Sequence, residues 1–273
     1  MLIEYPYDDN ILKLLQLEKT GNVKNGFYHY IQIQFAYNSN HIEGSTLTPE
    51  QTELIFDKGR IAGNAKVNEV IETANHFRMF DYILDTINEP LTTDYIRNLH
   101  RILRQGIDDD AGQYKKYQNQ IGNINPVSTT AVAKVAPELE RLVTGYREKE
   151  KRSFEDIIEF HSAFEKIHPF QDGNGRTGRG VLFRECIRNS IMPVIVYDSF
   201  RQYYISGLNQ WRAGNKQQLS ETLNACQEIF FQNFRYFIGA EEKLLTSTYK
   251  DAQFTSETSL TSGGADTILG RLE

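Results

Sequence analysis

Apolar residues recur at helical spacing along most of the chain. Phe27, Ile31 and Phe35 are spaced by four positions, which places them on one face of a helix, and Gly44 stands where that helix should end. The run Thr-Pro-Glu-Gln at 48–51 supplies an N-cap, a first-turn proline and the reciprocal glutamine of a capping box. Comparable stripes predict helices over about 67–84, 92–103, 137–146, 153–167 and 203–245.

The helical period fails over a long internal segment, 112–132, and a second, short extended piece is predicted at 194–197. The tyrosine, asparagine and glycine residues of the long segment favour turns and extended chain, so a hairpin is predicted there. The pattern therefore predicts an all-α fold, a helical bundle with a small β-hairpin. Past Thr246 the sequence becomes rich in serine, threonine and glycine, and a loose tail is expected.

Composition narrows the class of protein. Hydrophobic residues make up 40% of the 273 residues, which suffices for a packed core and excludes disorder as the main state. The net charge of -6 argues against non-specific binding to nucleic acid, and no uncharged run approaches the length of a membrane helix. Two cysteines only, and acidic residues where a signal peptide is basic, favour a soluble, cytoplasmic protein.

The segment 168–179 contains the residue types that polyphosphate chemistry requires. Pro169 pushes the residue before it out of helical conformation, and apolar periodicity restarts near Val181, so the segment is a loop between two helices. Gly173 and Gly175 allow successive backbone N–H groups to turn toward one point, where the next helix adds its own free N–H groups. The loop is thus a candidate anion nest.

Four side chains of this loop suggest chemical roles. Arg176 and Arg179 fall near the start of the second helix, where positive charge is unfavourable, so they indicate an anion with several charges such as a di- or triphosphate. Asp172 beside such phosphates is a candidate Mg²⁺ ligand. His168 carries the imidazole of the loop and is the candidate general base.

Residues 168–179 match the pattern His-Pro-Phe-x-Asp-Gly-Asn-Gly-Arg-x-x-Arg without a departure. This pattern is the signature of the Fic family, which the chain resembles over roughly 37–211. The resemblance implies a helical fold and the transfer of AMP from Mg-ATP to a serine, threonine or tyrosine hydroxyl of a target protein. Gly175 stands where a phosphate-transferring toxin branch has lysine, which favours AMP transfer.

The resemblance also implies a role for each site residue. His168 would deprotonate the target hydroxyl, Asp172 would hold Mg²⁺ between the α- and β-phosphates, and Arg179 would take the γ-phosphate. The flap, 112–132, would align the target segment by β-augmentation. Further nucleotide contacts would come from Gly173, Asn174, Gly175, Arg176, Thr177, Gly178, Ile121, Gly122, Asn123, Ile124, Tyr204 and Leu208.

A second motif, Ser-x-x-x-Glu-Gly at 39–44, closes the first long helix. Ser39 and Glu43 share a helix face, and a glutamate in the last turn opposes the helix dipole. Fic proteins with an N-terminal autoinhibitory helix carry this pattern, and their glutamate pairs with the last motif arginine and blocks the γ-phosphate. The resemblance therefore implies a self-inhibited enzyme in which Glu43 contacts Arg179 and Ser39 steadies Glu43.

Two alternative functions stay open at this point: removal of AMP through Glu43 and a bound metal, and nucleotide binding without catalysis. The expected partners are a hydroxyl-bearing protein or this chain itself, with ATP and Mg²⁺, and neither nucleic acid nor membrane. Aromatic residues at 230–237 favour packing or a homo-oligomer contact. The predicted organisation is an N-terminal helical region with the inhibitory helix, a Fic core, a C-terminal helical region and a Ser/Thr/Gly-rich tail, at 1–90, 91–214, 215–245 and 246–273.

Overall fold

The structure, a computed structural model, describes residues 6–122 and 126–259, with side chains as far as residue 239. The chain divides into two compact units, Met1–Phe231 and Gln232–Glu273. The all-α fold with a small hairpin is confirmed. In chain order the elements are α1 Asn10–Gly21, α2 Phe27–Ile42, α3 Pro49–Lys58, α4 Val67–Asp85, α5 Thr93–Arg104, β1 Gln120–Ile121, β2 Val127–Ser128, α6 Val135–Arg147, α7 Phe154–Ile167, α8 Asn174–Arg188, α9 Arg201–Arg212 and α10 Gln217–Ser259.

Capping residues of the sequence set several helix boundaries. The Thr48 hydroxyl accepts a hydrogen bond from the Gln51 N–H at 3.2 Å, and the Gln51 side chain accepts one from the Thr48 N–H at 2.9 Å. This is the predicted capping box, and Ser153 forms another at the start of α7. The apolar pattern does not single out α1, although its Ile11 and Leu15 are fully buried.

Three phenylalanines join α2, α4 and α8 in the core of the first unit. Phe35 of α2 stacks on Phe183 of α8 with ring centroids 5.2 Å apart, and Phe80 of α4 lies 5.2 Å from Phe183 and 5.9 Å from Phe35. All three rings are at most 1% exposed. The helix that ends in the 39–44 motif is therefore packed directly against the helix that begins in the 168–179 motif.

The predicted hairpin is present within 112–132, and it is short. Gln120 pairs with Ser128 and Ile121 with Val127 in antiparallel register. The buried Lys115 fastens the base of the hairpin, because its N–H donates to the Pro169 carbonyl at 2.8 Å and its Nζ donates to the Thr129 hydroxyl at 2.8 Å. The flap is thus tied to the loop that carries the candidate chemistry.

The C-terminal helix differs from the sequence-based prediction. The helix α10 continues to Ser259, so the first part of the segment expected to be a loose tail is helical; residues 260–273 lie outside the described residues. Serine and threonine have only a weak bias against helix, which an established helix can override. The first unit also spans the predicted boundaries near residues 90 and 214, so those regions are parts of one body.

The close approach of α9 to α10 depends on Gly207. A Cβ on this residue would lie 2.9 Å from the backbone N and Cα of Leu219. Backbone atoms cannot move aside as a side chain does, so we expect Gly207→Ala to lower the free energy of unfolding by about 1–3 kcal/mol, as overpacked sites do. Urea denaturation measures this change.

Gly145→Ala in α6 is the matched control, since no atom lies within 4 Å of the added Cβ. This variant should gain about 0.4–1 kcal/mol of stability. Equal stability of the two variants would contradict the role given to Gly207.

Candidate active site

His168 lies directly after α7 with its backbone in the left-handed region, at φ 52°. Its Nδ1–H donates to the Glu165 carbonyl at 3.3 Å, which leaves the Nε2 lone pair available as a proton acceptor. Burial lowers the pKa of His168 to about 4, against the opposing effect of that carbonyl. The imidazole is therefore neutral at pH 7, the form that a general base requires.

The helix α8 begins at Asn174, two residues earlier than the sequence suggests. Gly173, at φ 75°, is the N-cap, and Gly175 is already helical. The Asn174 side chain accepts from the Phe170 N–H at 2.8 Å and donates to the Phe170 carbonyl at 2.9 Å, which closes the loop onto the helix start. Since the Thr177 N–H bonds to the Gly173 carbonyl, the N–H groups without a helical acceptor are those of Asn174, Gly175 and Arg176.

Arg179 is buried against the end of α2. Its Nη2 donates to Glu43 Oε1 at 2.8 Å and to the Ser39 carbonyl at 2.8 Å, and its Nε donates to the Ser39 hydroxyl at 3.0 Å. Burial alone would raise the pKa of Glu43, but Arg179 and then Arg176 hold it below its ordinary value. The carboxylate is thus ionised. It forms an ion pair with the Arg179 guanidinium, to which the family resemblance assigns a phosphate.

Gly175 leaves room for that carboxylate. A Cβ on Gly175 would lie 2.2 Å from Glu43 Oε1 and 2.9 Å from Arg179 Nη1. No real Cβ tolerates such a contact, so the position of Glu43 requires glycine here. The carboxylate lies directly over the first turn of α8, where free N–H groups favour an anion.

Arg176 belongs to a closed ring of ion pairs with Glu72, Arg104 and Asp172. Glu72 Oε2 lies 2.7 Å from Arg176 Nη1, and the other Glu72 oxygen contacts Arg104 Nη1. Asp172 closes the ring through Oδ2 at 3.2 Å from Arg104 and Oδ1 at 3.5 Å from Arg176. Burial alone would raise the pKa of Asp172, but Arg176 and Arg104 keep it below its ordinary value.

Two neighbouring cavities meet at Glu43. The larger, the main cleft, has a volume of about 200 Å³, and the smaller, the polar cavity, about 170 Å³. The polar cavity is lined by Asp172, Arg176 and Glu72 among others. The main cleft is lined by the end of α2, the flap, the motif and one face of α9: Ile42, Glu43, Ile121, Gly122, Glu165, His168, Gly175, Arg179, Arg201, Tyr204, Ile205, Leu208, Asn209 and Arg212.

The predicted site residues divide between these cavities and the protein interior. Gly173 and Asn174 pack within the loop, Thr177 is fully buried, and Gly178 faces Phe164 and Glu165. The side of α8 that holds these residues is turned into the core, so they line neither cavity and any part of theirs in binding is through the backbone. Asn123 and Ile124 lie outside the described residues.

Asp172 suits the ligand role that the sequence assigns to it. Its side chain is 62% exposed, it is ionised, and it lies on the polar cavity next to the free N–H groups of α8. Mg²⁺ in nucleotide sites is commonly held by one or two carboxylates together with phosphate and water oxygens. A single hard oxygen donor beside a phosphate position fits that requirement.

Three residues of the site were not predicted from the sequence: Glu72, Arg104 and Glu165. The first two are far from the motif in sequence, and only the fold brings them to Asp172 and Arg176. Glu165 does leave a signal, because it stands one turn after His161 on the buried face of α7. Burying a carboxylate among apolar residues costs free energy unless the group is paired or hydrogen-bonded. A glutamate in such a stripe is therefore a candidate functional residue.

Known proteins with similar sequences share this site region. Residues 90–184 match the sequence model of the Fic/DOC family. The chain is 29% identical over 218 residues to a protein adenylyltransferase Fic of Nematostella vectensis, covering 76% of this chain and 48% of that protein. It is 28% identical over 189 residues to protein adenylyltransferase fic-1 of Caenorhabditis elegans, covering 66% and 37%. The chain thus spans about half or less of these curated relatives.

Solved structures share the fold. A Fic domain containing signaling protein from Bacteroides thetaiotaomicron superposes with a TM-score of 0.71 at 22% identity, over 84% of this chain and 98% of that one. Fic-1 of C. elegans, residues 134–508, gives a TM-score of 0.65 at 21% identity, over 86% and 73%. With the motif, the matched region and the fold in agreement, residues 90–184 of this chain form a domain of the Fic/DOC family.

Proposed function

We infer that this protein is an adenylyltransferase that moves AMP from Mg-ATP to a hydroxyl side chain of a protein, and that Glu43 inhibits it. One observation carries the inference: a neutral, partly buried imidazole and the free N–H groups of a helix start face the same cleft as Arg179. This arrangement suits phosphoryl chemistry on a hydroxyl nucleophile. The relatives named protein adenylyltransferase support the choice of AMP as the group transferred.

Each residue has a physical role in the proposed transfer. His168 Nε2 takes the proton of the attacking hydroxyl as its oxygen bonds to the α-phosphorus; the bond from that phosphorus to the bridging oxygen of the β-phosphate breaks, and pyrophosphate leaves. The α8 N–H groups with Arg179 bind the phosphates. The flap, through Ile121 and Gly122, holds the target segment and the nucleotide beside His168. Asp172 holds Mg²⁺, which neutralises phosphate charge when it is bound.

The ion pair of Glu43 with Arg179 supports inhibition within the same chain. The γ-phosphate and the Glu43 carboxylate compete for one guanidinium, and two anions at that position repel each other. ATP then binds with its γ-phosphate misplaced, so that the α-phosphate is badly aligned for in-line attack. Misplacement of about 1 Å can cost roughly 10² in rate.

Incubation with ATP labelled at the α-phosphate, followed by mass spectrometry of all protein species, tests the function. A mass increase of one AMP on a target or on this chain supports it. Bound but unaltered ATP supports a nucleotide-binding regulator instead. Loss of AMP from a previously modified protein, dependent on Glu43, supports the reverse reaction, which the position of Glu43 in the cleft also permits.

We expect His168→Ala to abolish transfer and to leave Mg-ATP binding nearly unchanged. The loss of a general base lowers the rate by about 10²–10⁴-fold, while the phosphate-binding groups remain in place. Transfer is measured by label incorporation and binding by calorimetry. Lys166→Ala, an exposed position on the same helix turn, is the control. Transfer at the wild-type rate by His168→Ala would rule out this mechanism.

We expect Asp172→Asn to raise the Mg²⁺ concentration needed for half-maximal ATP binding, because an amide oxygen is a weaker ligand than a carboxylate. A titration of ATP affinity against Mg²⁺ measures this shift. Asp109→Asn changes an exposed carboxylate nearby and should leave the midpoint in place. An unchanged midpoint for Asp172→Asn would refute its assignment as the ligand.

We expect Glu43→Gly to increase AMP transfer by an order of magnitude or more, since it frees Arg179 and removes a carboxylate from the phosphate position. The helix should survive, because Glu43 is the C-cap of α2 and Gly44 follows it. A smaller increase is expected for Ser39→Ala. Both are measured as the initial rate of label incorporation.

Glu148→Gly is the matched control, as Glu148 is the exposed C-cap of α6. A folded Glu43→Gly protein with unchanged or lower transfer would mean that Glu43 does not inhibit. The reverse reaction would then become the better proposal.

A further inference from the structure

A histidine and two carboxylates meet where α2 packs on α3. His29 lies in the first turn of α2, and Glu53 and Asp57 lie one turn apart on α3. Their ligand atoms, one from each residue, all lie within 4.8 Å of one another. None of the three lines the main cleft or the polar cavity, so the proposed transfer of AMP leaves this cluster without a role.

The contact between the two helices shows how a metal ion fits the cluster. Residues four apart share a helix face, so Glu53 and Asp57 lie on one side of α3. His29 Nε2 lies 2.7 Å from Asp57 Oδ1. A carboxylate only accepts, and Nε2 therefore carries the proton of this hydrogen bond. A metal ion bonded to the same nitrogen and the same oxygen takes the position of that proton.

The imidazole of the cluster is held in place by packing, whereas the carboxylates are adaptable. His29 is 7% exposed and lies edge-to-face on Phe56 of α3, with ring centroids 5.3 Å apart. Phe56 in turn packs against a core cluster of Ala36, Leu47, Ile55 and Phe77. Glu53 and Asp57 are exposed, so their side chains can turn toward an ion without disturbing the core.

The charges around the cluster favour a cation. Among the described residues, neither Glu53 nor Asp57 forms an ion pair with a lysine or arginine, and like charges four apart on a helix repel. Asp57 also lies in the last turn of α3, where the free carbonyls favour positive charge. The start of α2 does not need these anions, because Glu18 already accepts from the Tyr28 N–H at 2.6 Å.

We propose that His29, Glu53 and Asp57 bind one divalent first-row transition metal ion of the Zn²⁺ class. An imidazole nitrogen with two carboxylate oxygens suits such an ion, whereas Mg²⁺ and Ca²⁺ prefer oxygen donors alone. Bonds of about 2.0–2.2 Å around tetrahedral Zn²⁺ bring donors to about 3–3.5 Å from one another, a change that the exposed carboxylates can supply. Water completes the coordination, and the ion joins α2 to α3. This inference does not rest on the proposed function.

The test is a calorimetric titration of the full chain with Zn²⁺, after treatment with a chelator and without nucleotide. Asp172→Asn is the parent protein, so that the carboxylate of the polar cavity does not account for the ion. We expect one Zn²⁺ per chain and a urea midpoint that rises with Zn²⁺, because an ion bound only by the folded chain stabilises it. Mg²⁺ in about 100-fold excess should not displace the ion.

Three variants of this parent make the result specific. Glu53→Gln changes an exposed side chain and keeps the contact of His29 with Asp57, so the protein should fold and bind Zn²⁺ more than about 100-fold more weakly, beyond the loss typical of an outer partner. Asp57→Asn should weaken binding similarly. Glu50→Gln removes the same charge from an exposed position of α3 without removing a donor, and it should keep the parent affinity.

Each contrary result overturns the inference for a different reason. Absence of Zn²⁺ binding by the parent means that the cluster is not a site. Equal affinity of the parent and Glu53→Gln leaves His29 and Asp57 as a hydrogen bond between helices. Equal weakening by Glu50→Gln and Glu53→Gln indicates attraction by general negative charge, and displacement by Mg²⁺ contradicts the class of metal. None of these readings depends on AMP transfer.

Discussion

A guanidinium at the beginning of a helix needs an anion, and this need organises the site. Arg179 is almost fully buried within the second turn of α8, where the helix dipole already supplies positive charge. A buried cation without a partner would destabilise the fold by several kcal/mol. Glu43 meets the requirement from another helix, and the packing of Phe35 on Phe183 keeps the two helix ends together. The N-terminal helices and the Fic/DOC domain are therefore one body.

The same requirement explains why a carboxylate and a phosphate are interchangeable at this point. Under the proposed function, either anion satisfies Arg179 and the N–H groups of the first turn, so the Glu43 carboxylate takes the place of a substrate phosphate. Arg176 differs, because its partner Glu72 is also bound to Arg104. Glu72 can keep one cation when the other turns to a ligand. Arg179 is thus paired with one carboxylate, whereas Arg176 belongs to a network in which Arg104 also pairs with Asp108.

The sequence predicts what local chemistry determines and misses what only packing determines. The capping box at Thr48 follows from backbone rules that act over a few residues. The roles proposed for the 168–179 motif could be predicted from the sequence, because the anion nest, the candidate base and the candidate metal ligand lie next to one another in the chain. The ring through Glu72 and Arg104 is not visible in the sequence, since single charges on helices usually face solvent. Helical continuation of α10 past residue 246 was also missed, because weak propensities decide little there.

Gly175 of α8 and Glu43 at the end of α2 depend on each other. The absence of a side chain at Gly175 leaves the space that the Glu43 carboxylate occupies. Under the proposed function, a phosphate takes this space during turnover. A mutation to any larger residue would displace the Glu43 carboxylate from this space. A descendant that lost this glycine would lose the space in which Glu43 now lies, whereas a change at Glu43 alone would leave that space intact. Under the proposed function, a single mutation at Glu43 would remove the inhibition and leave the catalytic groups in place.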